Sequence, residues 1–152
     1  MASAGRVGTS QATFTPAASA HTAPAVVGGV QRFSGLSART GQGMQIISAS
    51  MLVSGATIET TAWRLYLYSV TPPSALADAA AFSVTAGDRA SFLGYVDIAQ
   101  LVSVGASLYV QSDNLNKAML PSGGRDAFGY LVNLTTLTPQ AVAHTVTLWT
   151  LE

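Results

Sequence analysis

The chain has 152 residues, seven basic and seven acidic, for a formal net charge of 0; only 9% of it is charged and 49% is apolar, where ordinary soluble domains carry roughly 25% charge. This balance argues against nucleic acid and against an anionic membrane as the main partner, since both need clustered lysine and arginine, and it argues against disorder, which needs low hydrophobicity and high charge. The absence of cysteine excludes a disulfide framework, a thiolate nucleophile and a Cys-ligated metal.

The length suits one domain with a real core. Lys117 is the one lysine, and serine and threonine supply 16 residues each, so the polar surface is mostly hydroxyl. A folded chain this poor in charge is expected to cover much of its surface with copies of itself or with a partner; a charge-poor monomer is the plainer alternative. No apolar run reaches the roughly 18 residues of a membrane-spanning helix. Near the N-terminus Gly5, Gly8, Thr9, Ser10 and Gln11 interrupt any apolar stretch, so no signal peptide is read there.

Residues 1–24 are small, polar and aperiodic, and the composition predicts an extended N-terminal arm, with 25–152 as the folded domain. Phe14, Pro16 and His21 are its candidate partner-binding residues; a plain tail is the alternative. From Ala25 the chain reads as strand, with Val26, Val27 and Val30 flanking a bulge at Gly28-Gly29. Ser34–Gly43 is a loop. Met44–Ser54 is a long strand with Ile47, Ala49, Met51 and Val53 on one face, although Met44, Ile46 and Leu52 make the other partly apolar.

Trp63–Val70 alternates Trp63, Leu65 and Leu67 against Arg64, Tyr66 and Tyr68, the period of a half-buried strand. Pro72-Pro73 stops it, and Ser74–Ala81 is predicted to form a short helical turn capped by Ser74. Phe92–Ile98 returns as a strand. Ala106–Ser112 follows, then a weak strand Asn116–Leu120 closed by a turn at 121–124. Phe128–Asn133 and Val142–Leu151 complete the set. About eight strands with turns between them predict an all-β antiparallel sandwich, with a jelly roll as the version that fits.

No catalytic constellation emerges, and no enzyme activity, cofactor or metal is expected. His144 falls on the apolar face of the last strand, where a structural role is favoured, and no His-x-His or His-Glu pair begins a metal site. The seven carboxylates offer chance pairs at most, and Gly41-Gln42-Gly43 and Gly123-Gly124 lack the context of phosphate loops. Asn133-Leu134-Thr135 matches a glycosylation sequon that is common by chance. Tyr66 and Tyr68, with Tyr95, are the candidates for a subunit-contact or sugar-stacking face; the favoured alternative is a second buried face beneath the Pro73–Phe82 segment.

The phrases RLYLYSVTPPSALADAAAF, GDRASFLGYVDIA, SLYVQSDNLNKAML and FGYLVNL, with TPAASAHTAPAVVGG upstream, resemble a group of small structural proteins of tailed bacteriophages. The resemblance runs from about Thr13 to Leu151 and carries no site motif. It implies a virion component, specifically a head decoration (cement) protein made in the host cytoplasm and placed on the capsid exterior. The implied partners are the major capsid protein and the chain itself, as a homotrimer. A tail or baseplate subunit and a carbohydrate-binding module are the alternatives.

Overall fold

The computed structural model describes residues 5–120 and 124–152, where nine strands and one 3-10 turn form the regular structure. The strands are β1 (Val7–Phe14), β2 (Ala25–Phe33), β3 (Met44–Val53), β4 (Trp63–Tyr68), β5 (Phe92–Ile98), β6 (Val102–Ser103), β7 (Leu108–Met119), β8 (Ala127–Asn133) and β9 (His144–Leu151). They form two sheets, a five-stranded one in the order β1-β9-β3-β7-β6 and a four-stranded one in the order β2-β8-β4-β5. Without the two-residue β6, first pairs with last, second with second-last and so inward, and every pairing is antiparallel. That is one long hairpin rolled so that β9 also meets β3 and β8 also meets β4, which is a jelly roll.

The period-two pattern explains the core between the sheets. Trp63, Leu65 and Leu67 of β4 point inward with Ala49, Met51 and Val53 of β3, Val146 and Leu148 of β9, and Phe14 of β1. Gly129 of β8 lies on the same side, and a Cβ there would come within 2.9 Å of Leu65 and 3.1 Å of Phe33. Gly28 and Gly29 form the expected bulge with φ of 72° and 70°. A side chain at Gly28 would also strike the Thr15 backbone nitrogen at 2.7 Å.

Four local expectations need correction. Residues 7–14 are not an arm: β1 pairs with β9 in unbroken register from Val7↔Leu151 to Phe14↔His144. Its Ser10, Ala12 and Phe14 turn inward, a periodicity muted by small side chains. Ser74–Ala81 is not helical, because Ala75 and Ala79 have positive φ and the backbone at 79–82 bonds to the chain around β2 instead. Ser74 N–H goes to Asp88 rather than capping a helix; the helical turn is at Arg89–Ser91.

The strands expected at Ala106–Ser112 and Asn116–Leu120 are one strand, β7, whose Asn114 and Asn116 adopt positive φ where its register with β3 shifts. The same shift changes the phase of β3, so that Ile46, not Ile47, is fully buried. Of the turn at 121–124, residues 121–123 lie outside the described residues.

Candidate functional site

The two sheets treat their outer faces differently. Outside the four-stranded sheet, the segment joining β4 to β5 folds back over Tyr66, Tyr68 and Tyr130, with Leu76 and Phe82 closing a second apolar cluster around Val26 and Val132. Tyr66 stacks on Phe82 with ring centroids 4.0 Å apart. Tyr130 Oη accepts from the Leu76 N–H at 2.9 Å and meets Ser74 Oγ at 3.2 Å. Tyr68 is wholly buried, and burial first, then the nearby Asp88 carboxylate, pushes its phenol well above the ordinary tyrosine range.

The proposed tyrosine face therefore does not form an exposed platform. Tyr66 and Tyr68 belong to the covered cluster, and only Tyr95 stays exposed. Arg64 lies 4.0 Å over the Tyr95 ring and Lys117 lies 5.3 Å from it. Arg64 Nε donates to Asp97 Oδ1 at 2.6 Å, and this bond, with a second that Arg64 donates to the Tyr66 hydroxyl oxygen, holds the guanidinium still more firmly protonated.

The outer face of the five-stranded sheet carries its side chains in rows set by the register. Thr9, Trp149, Ser48 and Asp113 lie side by side, then Gln11, Thr147, Ser50 and Gln111, then Thr13, Thr145, Leu52, Tyr109 and Val102. Asp113 is the one charge in these rows. Its carboxylate accepts from Gln111 Nε2 and Ser48 Oγ, each at 2.8 Å, and these bonds hold it below the usual carboxylate range. Ser50 and Thr147 sit low in the middle, whereas Thr9, Gln11, Thr13, Leu52 and Val102 are exposed. Such a face presents hydroxyl and amide groups and exposed apolar atoms, with almost no charge to desolvate on contact.

The three residues assigned to the arm are all buried. Phe14 packs in the core with its ring 6.3 Å from Phe33, and Pro16 and His21 are also buried. His21 Nδ1 donates to the Ser19 carbonyl at 2.7 Å, and Nε2 meets Asp78 Oδ1 at 2.8 Å. Asp78 also accepts from the N–H groups of Gly28 (2.7 Å) and Ala17 (2.8 Å). This carboxylate ties residues 15–24 and β2 to the covering segment. Burial alone would raise the Asp78 carboxyl; the bonds from Gly28, His21 and Ala17 outweigh it and hold the group below its ordinary 3.8. Asn133, the sequon residue, is buried with its amide spent on Ala25 N–H, the His21 carbonyl and the Thr135 carbonyl.

A depressed folded-state carboxyl stabilises above the unfolded pKa and loses that contribution as pH falls through the folded one. Asp78→Asn is accordingly expected to cost about 1.5–3 kcal/mol at pH 7. The cost should shrink below pH 3.8 as the wild-type carboxylate is protonated. Urea unfolding of both proteins from pH 7 to pH 2 checks this, and a pH-independent difference would refute it.

Among the described residues no cluster of three or more His, Cys, Asp or Glu is arranged to hold a metal, and no helix is long and apolar enough to cross a membrane.

No protein-family model matches the chain, and no curated protein matches it. Among solved structures it is similar to a chain of the cyanophage Pam1 capsid asymmetric unit, at TM-score 0.39 and 15% identity over 99% of this chain and 87% of that one. It is also similar to a chain of Desmodium yellow mottle tymovirus, at TM-score 0.30 and 12% identity over 99% of this chain and 82% of that one. A chain of Israel acute paralysis virus follows at TM-score 0.20 and 15% identity, over 74% of this chain and 48% of that one. No residue role passes from these to the present chain.

Proposed function

We propose that this protein is a structural component of a bacteriophage virion, a decoration (cement) protein bound to the outside of the head on the lattice of the major capsid protein. The observation that carries the reading is the contrast between the outer faces: one is covered over Val26, Tyr68, Tyr130 and Val132 by the protein's own β4–β5 segment and carries the Arg64–Asp97 ion pair beside it, and the other is an almost uncharged sheet of threonine, serine and glutamine with Leu52 and Val102 exposed. A face of that kind buries at little desolvation cost, and hydrophobic contact contributes roughly 25 cal/mol per Å² before association costs. Repetition over a lattice turns modest contacts into firm attachment. The phrases resembling tailed-phage structural proteins support the same reading, and the homotrimer implied by that resemblance is part of the proposal.

Immunogold electron microscopy of assembled particles, with an antibody against this chain, tests it. Label spread over the head is expected. Label confined to the tail would replace decoration with a tail or baseplate role, and unlabelled particles would overturn the virion reading.

A further inference from the structure

Four edges terminate the two sheets, and three of them are closed. The edge of β2 is covered near its start by residues 79–82, through Val26 N–H to the Ala80 carbonyl and Ala79 N–H to the Val26 carbonyl, and is broken further along by the Gly28-Gly29 bulge. The edge of β5 is interrupted at Gly94, with φ of 122° and a register shift, and carries Asp97. The far edge of the five-stranded sheet is capped by β6 over Leu108 and Tyr109, and beyond that it is kinked at Asn114 and Asn116 and carries Lys117. Bulges, charges and covering segments are how proteins keep sheet edges from pairing.

The fourth edge, β1, has none of these among the described residues. It runs eight residues in unbroken register without charge, proline or bulge. Just before it, Arg6 and Glu152 exchange both backbone bonds at 3.1 Å. Bonded and non-bonded pairs alternate along an antiparallel ladder, so Gly8, Ser10, Ala12 and Phe14 bond to β9. Val7, Thr9, Gln11 and Thr13 therefore turn their N–H and C=O groups to the open edge.

We propose that β1 is an assembly edge whose occupant is β1 of a second copy, running antiparallel, so that two five-stranded sheets become one continuous sheet. The strand suits itself. It carries no charge to oppose its own copy. Placing Val7 opposite Thr13 of the second copy, and Thr9 opposite Gln11, gives every open backbone group a partner, about eight hydrogen bonds in all. The outward row Thr9, Gln11, Thr13 then continues across the junction with residues of the same kind. On a lattice this two-fold contact would join neighbouring copies, but it rests on the strand edge alone and holds or fails separately from the virion reading.

Amide exchange followed by NMR on the full chain over a dilution series, with the mass measured in parallel, tests it. In dilute solution the amides of Val7, Thr9, Gln11 and Thr13 are expected to exchange freely while Gly8, Ser10, Ala12 and Phe14 are protected. As the mass doubles from its value at high dilution, the first set should gain protection together. Gln11→Pro removes an edge N–H without touching the β9 ladder, and Gln11→Lys sets like charges near the two-fold; each should weaken association at least about tenfold, or about 1.4 kcal/mol. A mass that rises without protection of these amides would place the contact elsewhere and overturn the proposal. A mass that stays at its high-dilution value throughout would also overturn it, as would protection that arises only when a different protein is added.

Discussion

Replacing Glu59 with alanine is expected to cost about 3–5 kcal/mol, the usual consequence of removing one partner from a buried, hydrogen-bonded pair of ionisable side chains. The side chains of Glu59 and His144 are 2% and 0% exposed, and Nε2 lies 2.9 Å from Oε2 and 3.2 Å from Oε1. The other ring nitrogen donates to the Val142 carbonyl at 2.9 Å, so both ring nitrogens face acceptors. Glu59 Oε1 also accepts the Gln140 N–H at 2.8 Å. Alanine would leave both donors without an acceptor beside Trp63, whose ring packs edge-on to His144 at 5.7 Å and whose own N–H has no partner among the described residues.

Since a chain of this size shifts by about 2–4 °C per kcal/mol, the melting temperature should fall on the order of 10 °C. Glu59→Gln, which keeps an acceptor, should cost less than half as much. Replacing the pair together, as Glu59→Leu with His144→Phe, should recover part of the loss, because the imidazole is no longer buried without its carboxyl partner; the Gln140 N–H and the Val142 carbonyl still lose their side-chain partners, so the recovery is incomplete. Urea unfolding with an unchanged m-value is the measurement. A Glu59→Ala variant within about 1 kcal/mol of wild type would show that the pair contributes little.

This pair also marks where reading the sequence stops. His144 is legible as a buried structural histidine because it shares a face with Val146 and Leu148. Its partner is 85 residues away in a loop, and no local pattern points there. His21 and Asp78, 57 residues apart, are hidden in the same way, so the local pattern places His21 in an extended arm.

The strands that alternate large apolar with polar residues, such as Trp63–Tyr68, were legible at once. In β1 the inward positions are Ser10, Ala12 and Phe14, and only the last is bulky enough to register. The covered outer face left a trace in β8, where Phe128, Tyr130 and Val132 alternate with Gly129, Leu131 and Asn133 and neither side is strongly polar. A strand apolar on both faces needs something over each of them. Register shifts at Ile47 and in β7 are set by the pairing of three strands at once, which one strand's pattern does not reveal.

Deleting residues 1–24 is expected to abolish cooperative folding. The deletion strips β1 from the full length of β9 and removes Phe14 from the core, and losing a buried phenylalanine alone costs about 3–5 kcal/mol. It also takes two donors from Asp78, the N–H of Ala17 and Nε2 of His21, and takes the His21 carbonyl from Asn133. Against a total stability of about 5–15 kcal/mol these losses leave no margin. The truncated chain should lack near-UV circular dichroism and dispersed amide resonances, and a 1–24 peptide added in trans should restore part of both by supplying the missing strand. A soluble truncation that melts like wild type would return this segment to the status of an arm. Because removing the segment also removes the fold, loss of particle attachment on deletion would not identify a contact. Gln11→Lys does separate the two: its side chain is on the exposed side of β1, so the fold should survive while the open edge is blocked.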